Sequence, residues 1–261
     1  MTVLDKMSGG GDIIQHHFFR SKSMKKISCL LIILFVCSSI FAMDVSLGVK
    51  GDIGMNTFTQ EVNVKGSGIS VTTELDTNFI FSGRIGVVAG FQINDLFAIE
   101  PEVMFNLRNG AKLDMSEDGY KIESIMTYKT LELPVMFKAK FNVGNGKLAV
   151  GIGPQLNFLI GDINEKTTVT YNGESETKTD SSSAEENYIK TFSMGLAIGA
   201  EYGIELGAGT LVVGGRLAFD LTNVLDEDAM KKNYENLEGI TVEATMQQIQ
   251  FFPSIAYMIK L

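Results

Sequence analysis

The chain of 261 residues has no tryptophan, two cysteines and two histidines. Cys29, Cys37, His16 and His17 all precede residue 43, so the longer, downstream part of the sequence contains neither residue type. This excludes disulfides, thiol catalysis and Cys-based metal sites there, and it removes the commonest general base and the commonest ligand for zinc or copper. The composition therefore predicts a protein that is not an enzyme and that holds no metal or cofactor.

Basic residues are also scarce. Lys and Arg number 22 against 31 Asp and Glu, which gives a net charge of −9 and a sequence pI of about 4.8. Domains that bind nucleic acid carry basic patches or stripes. The acidic excess therefore argues against a nucleic acid as the partner.

Long apolar runs are lacking except for one, "MKKISCLLIILFVCSSIFAMD" at 24–44. Its apolar core extends from Ile27 to Val36, which is shorter than the roughly 20 residues that a membrane-spanning helix needs. Lys25 and Lys26 precede the core and supply the positive charge of a secretory signal peptide. The stretch is therefore predicted to direct export.

The predicted cleavage site of this signal peptide lies between Ala42 and Met43, because a small residue precedes the cut. Two alternatives remain open: lipidation at Cys37, and an uncleaved anchor. On the favoured interpretation the chain has three parts, namely an upstream extension outside the mature protein (1–23), the signal peptide (24–42) and the mature domain (43–261).

Downstream of residue 43, apolar and polar residues alternate with period two, which is typical of β-strands with one face in an apolar medium. The pattern predicts eight strands: 45–56, 79–93, 96–108, 127–141, 147–161, 188–205, 210–222 and 247–261.

The predicted connections alternate between long and short. Short turns at one end and long loops at the other are typical of outer-membrane β-barrels. Within the last long connection, residues 226–239 are predicted to contain a short helix, since acids precede lysines there. The long connections are 57–78, 109–126, 162–187 and 223–246, and the short ones are 94–95, 142–146 and 206–209.

Two details indicate which face of this sheet points inward. Glycines such as Gly86, Gly153 and Gly199 recur on the polar face, and the interior of an eight-stranded barrel is just wide enough for side chains. The apolar face is bulky and uncharged, as lipid contact requires. The predicted fold is an all-β, eight-stranded antiparallel transmembrane β-barrel with a polar interior and an apolar lipid-facing exterior.

Charged residues on the predicted inner face must pair, because an unpaired buried charge is very costly. They either form a structural network that fills the barrel or line a polar plug that opens to a small conductance. The residues are Arg84, Glu100, Glu102, Glu132, Lys138, Arg216 and Asp220.

Prolines fit the pattern poorly, since all four lie inside predicted strands and a closed barrel has no free edge to host them. Each proline is therefore expected at a bulge or near a strand end. The four residues are Pro101, Pro134, Pro154 and Pro253.

Three segments resemble the small outer-membrane β-barrel proteins of the porin-like group, the eight-stranded OmpA, OmpX and OmpW type. "LELPVMFKAKF", a short Gly-Asn turn and "LAVGIGPQLNFLIG" are similar to the middle hairpin of such barrels, and "FAIEPEVMF" resembles the strand before it. The resemblance covers nearly the whole mature chain. It implies a location in the outer membrane of a diderm bacterium, with membrane lipid and the barrel-assembly machinery as partners.

Two functions remain open at this point. The first is a non-enzymatic envelope protein that presents long surface loops, with or without a narrow or gated pore for small solutes. The second is a barrel that binds a small apolar ligand, either membrane-embedded or soluble, periplasmic and lipocalin-like. The acidic, Ser/Thr-rich connection 162–187 is either an adhesive surface for a host ligand or a solvated, mobile loop.

Overall fold

A computed structural model of the protein describes residues 44–66, 69–117, 119–234 and 240–261. The predicted upstream extension, the signal peptide and the cleavage site between Ala42 and Met43 lie outside these residues. The described part contains ten β-strands and one helix. They are β1 (Asp44–Gly66), β2 (Ile69–Asp76), β3 (Ile80–Gln92), β4 (Phe97–Glu117), β5 (Tyr120–Val143), β6 (Gly146–Tyr171), β7 (Glu174–Ser182), β8 (Phe192–Leu206), β9 (Gly209–Asp220), α1 (Glu227–Tyr234) and β10 (Ile240–Lys260).

The strands form one antiparallel sheet that closes on itself. Its order is β10-β9-β8-β6-β5-β4-β3-β1, and β1 pairs with β10 to complete the ring. The closing ladder is long and runs from Ser46 opposite Lys260 to Gly66 opposite Ile240. Because every strand of the ring has a neighbour on both sides, the closed barrel satisfies the backbone groups that lipid cannot.

The sheet has ten strands, eight in the ring and two outside it, whereas eight were predicted in all. The two further strands lie in predicted loops: β2 pairs with β1 alone and β7 pairs with β6 alone. The predicted loop 109–126 is also wrong, since β4 and β5 continue through most of it. The sequences of β2 and β7 are mostly polar, so their strand character comes from pairing with a neighbouring strand rather than from hydrophobic alternation.

The turn between β6 and β7 has a clear local cause. Asn172 and Gly173 both have positive φ, at 50° and 88°. This is the backbone of a two-residue hairpin turn, and Asn-Gly is the favoured sequence for it. The short helix predicted within 226–239 is confirmed as α1, which has Glu227 and Asp228 in its first turn.

The predicted orientation of the two faces is confirmed. Outward side chains are large and apolar, with exposed fractions of 75% for Ile53 and 73% for Phe81. Inward side chains are polar and buried, and Asn106 and Glu132 have no exposed surface at all. In the described part of the chain, no helix is both long and apolar enough to cross a membrane.

Crowding on the inner face explains some of the glycines. A Cβ atom on Gly86 would lie 2.0 Å from the carbonyl oxygen of Val103, and one on Gly153 would lie 1.9 Å from that of Val135. Both obstacles are backbone atoms of a neighbouring strand, which have little room to move. Glycine is required at these positions because neighbouring strands approach so closely.

The expectation that the prolines lie at bulges is wrong. None of them lies at a register shift. Each keeps its pairing with one neighbouring strand, while two consecutive residue pairs are missing from the ladder on the other side at unchanged register. Proline has no N–H to donate, and these gaps remove the need for one. The interrupted ladders are β3–β4 at Pro101, β4–β5 at Pro134, β5–β6 at Pro154 and β1–β10 at Pro253.

Candidate functional site

The barrel interior contains a first cluster of ion pairs around Arg84. The guanidinium of Arg84 donates to Asp52 at 2.5 Å and to Glu132 at 2.8 Å. It also lies over the ring of Phe252, with Cζ 3.7 Å from the ring centroid. Both carboxylates and the guanidinium are fully buried, so each charge depends on its partners for compensation.

Neutral side chains complete the coordination of Glu132. Asn106 donates to Oε1 at 2.9 Å, Thr130 at 3.1 Å and Gln250 at 3.2 Å. These donors come from strands β4, β5 and β10. The carboxylate of Glu132 therefore links three strands. Its hydrogen-bonding capacity is satisfied by protein donors, so it does not depend on water.

A second cluster lies around Glu102. Arg216 binds its carboxylate with two nitrogens, at 2.9 Å and 2.5 Å, and Lys50 approaches it at 3.1 Å. The two-nitrogen geometry matches the planar guanidinium to the planar carboxylate. Lys50 also reaches Glu201 at 3.3 Å, which connects the second cluster to the next.

The third cluster lies nearest the short turns. Lys138 contacts Glu100 and Glu201, at 2.5 Å each, and Lys140 contacts Glu100 at 3.0 Å. Across the three clusters, five cationic side chains meet five anionic ones. The cations are Lys50, Arg84, Lys138, Lys140 and Arg216, and the anions are Asp52, Glu100, Glu102, Glu132 and Glu201.

Asp220 occupies a different environment toward the long connections. Asn157 donates to its carboxylate at 2.9 Å and Ser193 at 3.3 Å. Among the described residues, no cationic side chain forms an ion pair with it. Asp220 is thus the one predicted interior charge that the structure places outside the three clusters.

All seven charged residues predicted for the interior are buried. Four further members of the clusters were missed, although the sequence alternation also places them on polar faces: Lys50, Asp52, Lys140 and Glu201. The signal was therefore present in the sequence. Their partners were not, because the ion pair between Lys50 and Glu201 joins residues separated by 151 positions.

An apolar core closes the barrel above these clusters, at the end that carries the long connections. It combines inward side chains of the strands with two folded connections, 183–191 and 221–226. Ile189 and Leu225, one from each connection, face each other in an isolated antiparallel bridge. We call this core the cap; its buried members are Phe58, Ala111, Tyr128, Ile163, Ala184, Ile189, Val224, Leu225, Ala244 and Met246.

The opposite end of the barrel holds a polar cavity of about 290 Å³. Charged side chains line it, among them Glu100, Lys140, Lys147, Glu201 and Glu205. The third ion-pair cluster forms its floor, since Glu100, Lys140 and Glu201 belong to both. The space between this cavity and the cap is filled by the buried side chains of the first two clusters.

Beyond the apolar band, two strand arms continue past the cap. One consists of β10, β1 and β2, and the other of the outer parts of β4, β5 and β6 with β7. On the second arm, Lys112 lies 2.8 Å from Glu123 and 3.3 Å from Asp114. The hydrogen bond to Glu123 raises the pKa of Lys112 above its ordinary value.

Closed pairing, a polar ion-paired interior and an apolar outer surface together define a transmembrane β-barrel. A family model described as an outer membrane protein beta-barrel domain matches residues 41–226. The chain belongs to this family, and the protein is located in the bacterial outer membrane. No curated protein matches the sequence.

Three solved structures of similar proteins are OprG, NspA and Ail. OprG from Pseudomonas aeruginosa is 11% identical, with 83% of this chain and 96% of that chain covered and a TM-score of 0.44. Neisserial surface protein A is 15% identical, with coverages of 82% and 97% and a TM-score of 0.32. Ail of Yersinia pestis is 12% identical, with coverages of 83% and 100% and a TM-score of 0.29. No role transfers from these proteins at such identities.

Proposed function

We propose that the protein is a non-enzymatic outer-membrane barrel whose role is to present its two strand arms at the cell surface, with the barrel itself sealed. The observation that carries this proposal is the ion-paired filling of the interior between the cap and the turn-end cavity. The partners it requires are outer-membrane lipid and the barrel-assembly machinery. A host surface ligand would bind the arms.

The interior supports a structural rather than a conducting role. Within the three clusters, five positive and five negative side chains neutralise each other, so none of these ten charges needs water to compensate it. The ring has eight strands, and a barrel of that size has an interior filled by side chains rather than an aqueous channel. We therefore expect no stable single-channel steps in a planar bilayer. Discrete, reproducible steps would favour the gated-pore alternative.

The interior also argues against an apolar ligand inside the barrel. An apolar-ligand site is a cavity with mostly hydrophobic lining. The turn-end cavity is lined mostly by charged and polar side chains instead, and the cap is filled by its own side chains. A soluble lipocalin-like carrier is also disfavoured. Its apolar residues would face inward, whereas the large apolar residues of this barrel face outward.

The arms support a display role because they are built as sheets. The predicted loop 162–187 consists mainly of the end of β6 and of β7, joined at Asn172 and Gly173. Folded sheets present side chains in fixed rows, whereas mobile loops lose conformational entropy on binding.

Surface labelling tests the orientation. In a variant with Cys29 and Cys37 changed to Ser, an Asp180→Cys substitution introduces a thiol on exposed β7. We expect a membrane-impermeant maleimide to label it in intact cells. The matched control is Asn145→Cys in a short turn, which should react only after lysis. The reverse pattern would place the arms in the periplasm and overturn the proposal.

A further inference from the structure

The arm made by β4, β5, β6 and β7 has two chemically different faces, which follow from the strand register. Residues of one face stand in rows across the four strands. The outermost row is Glu117, Tyr120, Tyr171 and Glu174, and the next row is Met115, Ile122, Val169 and Glu176.

This face is continuous with the cap. Strand alternation places Met115 on the same side as Ala111, and Val169 on the same side as Ile163. Ala111 and Ile163 are buried cap members. This face is therefore buried next to the cap and exposed to solvent further along the arm. We call its outer part, made of the two rows above, the arm face.

Large apolar and aromatic side chains remain open on the arm face. The exposed fractions are 48% for Met115, 48% for Tyr120 and 52% for Tyr171. The two tyrosine rings pack together with centroids 4.9 Å apart and planes at 44°. A preformed aromatic pair is a rigid contact surface that costs little entropy to use on binding.

Carboxylates border this stripe on both sides. Glu117 lies on β4, and Glu174 and Glu176 lie on β7. In the described part of the chain, none of these three carboxylates forms an ion pair. On the reverse face of the sheet, by contrast, Asp114 and Glu123 share Lys112.

We propose that the arm face is a docking surface for a cationic amphipathic peptide segment in extended conformation. Apolar side chains of the peptide would cover the Met115, Ile122, Val169 and tyrosine stripe, and lysines or arginines would meet the three unpaired carboxylates. Charge complementarity selects this occupant. An anionic glycan or a second copy of this acidic face would meet like charge. The inference rests on the proposed function, and it adds the class of partner.

A fluorescent peptide tests the proposal directly, because the protein has no tryptophan of its own. The probe is a short peptide of alternating lysine and leucine with a single tryptophan, added to the protein in phosphatidylcholine nanodiscs. Empty nanodiscs give the lipid background. We expect saturable binding above that background that weakens as salt screens the charges. Binding no greater than to empty nanodiscs overturns the proposal.

Matched charge variants locate the site. Glu174→Gln with Glu176→Gln should weaken binding by about three- to tenfold, as expected for a few partly exposed charge contacts. Glu61→Gln with Glu74→Gln is the control, since these carboxylates face each other on the other arm. Equal loss in both variants overturns the assignment to the arm face.

A third variant removes the aromatic pair. Tyr120→Ser with Tyr171→Ser should abolish binding while the unboiled protein keeps its folded mobility on a gel. Self-association lost in this variant would identify a second copy as the occupant and overturn the proposal. These assays use purified protein, so their failure would overturn peptide binding but not the proposed surface display. Labelling of Asp180→Cys only after lysis would instead overturn surface display and leave peptide binding untouched.

Discussion

At the residue scale, Arg84 is a buried cation of the barrel interior that holds two carboxylates. Its guanidinium compensates two buried carboxylates, Asp52 and Glu132, and covers Phe252. A buried ion pair is not in itself a large source of stability, but breaking one by removing a single partner is strongly destabilising. Loss of Arg84 is therefore expected to destabilise the protein because it leaves two buried carboxylates without a cationic partner.

We expect Arg84→Met to lower the free energy of unfolding by about 3–5 kcal/mol, because two carboxylates lose their buried partner. Urea unfolding of the protein in lipid vesicles measures this. The control is Lys260→Met, which removes an ion pair to Asp44 with both side chains about two-thirds exposed. Such surface pairs contribute about 0–1 kcal/mol.

A triple variant separates charge from packing. Arg84→Met combined with Asp52→Asn and Glu132→Gln removes the uncompensated charges, and it should recover part of the lost stability. If the triple variant is less stable than Arg84→Met, the hydrogen bonds that the Glu132 carboxylate accepts from neutral side chains outweigh the cost of its unpaired charge.

At the element scale, the cap shows that two connections are folded inward rather than free. Segments 183–191 and 221–226 are held to each other by backbone bonds from Lys190 to Val224 at 2.8 Å and from Asp226 to Tyr188 at 2.7 Å. Their apolar side chains complete a core with the strands. The cap is held by apolar contacts, whereas the barrel interior is held by ion pairs. We therefore expect that the cap can open while the barrel stays closed.

We expect Ile189→Asp to open the cap and leave the barrel intact, because it places a charge in an apolar core. Limited proteolysis from outside should cut the connections of this variant faster, with the membrane-embedded part unchanged. Thr191→Asp is the control, since its side chain is exposed two positions away. Equal proteolysis of the two variants would contradict a packed cap.

At the scale of the whole molecule, the closed ring predicts how the protein behaves on a gel. Every ring strand is hydrogen-bonded on both sides, so detergent alone does not open the barrel. Refolded protein comprising 43–261 should run at a different mobility before and after boiling. Identical mobility in every detergent tried would contradict a closed barrel.

The sequence by itself determined the architecture of the wall. Alternation with period two, glycines on the polar face and an uncharged apolar face lead to a barrel with a polar interior, because in lipid only that arrangement satisfies both the backbone and the side chains. It also predicted seven of the charged residues that line the interior. The wrong expectations concern the predicted loops and the prolines.

Tertiary structure alone decided the rest. Which acid meets which base depends on the register of strands far apart in sequence, as for Lys50 and Glu201. Strands β2 and β7 exist because they pair with β1 and β6, and their polar sequences carry little hydrophobic signal. The prolines are accommodated by gaps in single ladders. Local pattern reveals the side of the wall on which a residue lies, but only the closed sheet brings its partner to it.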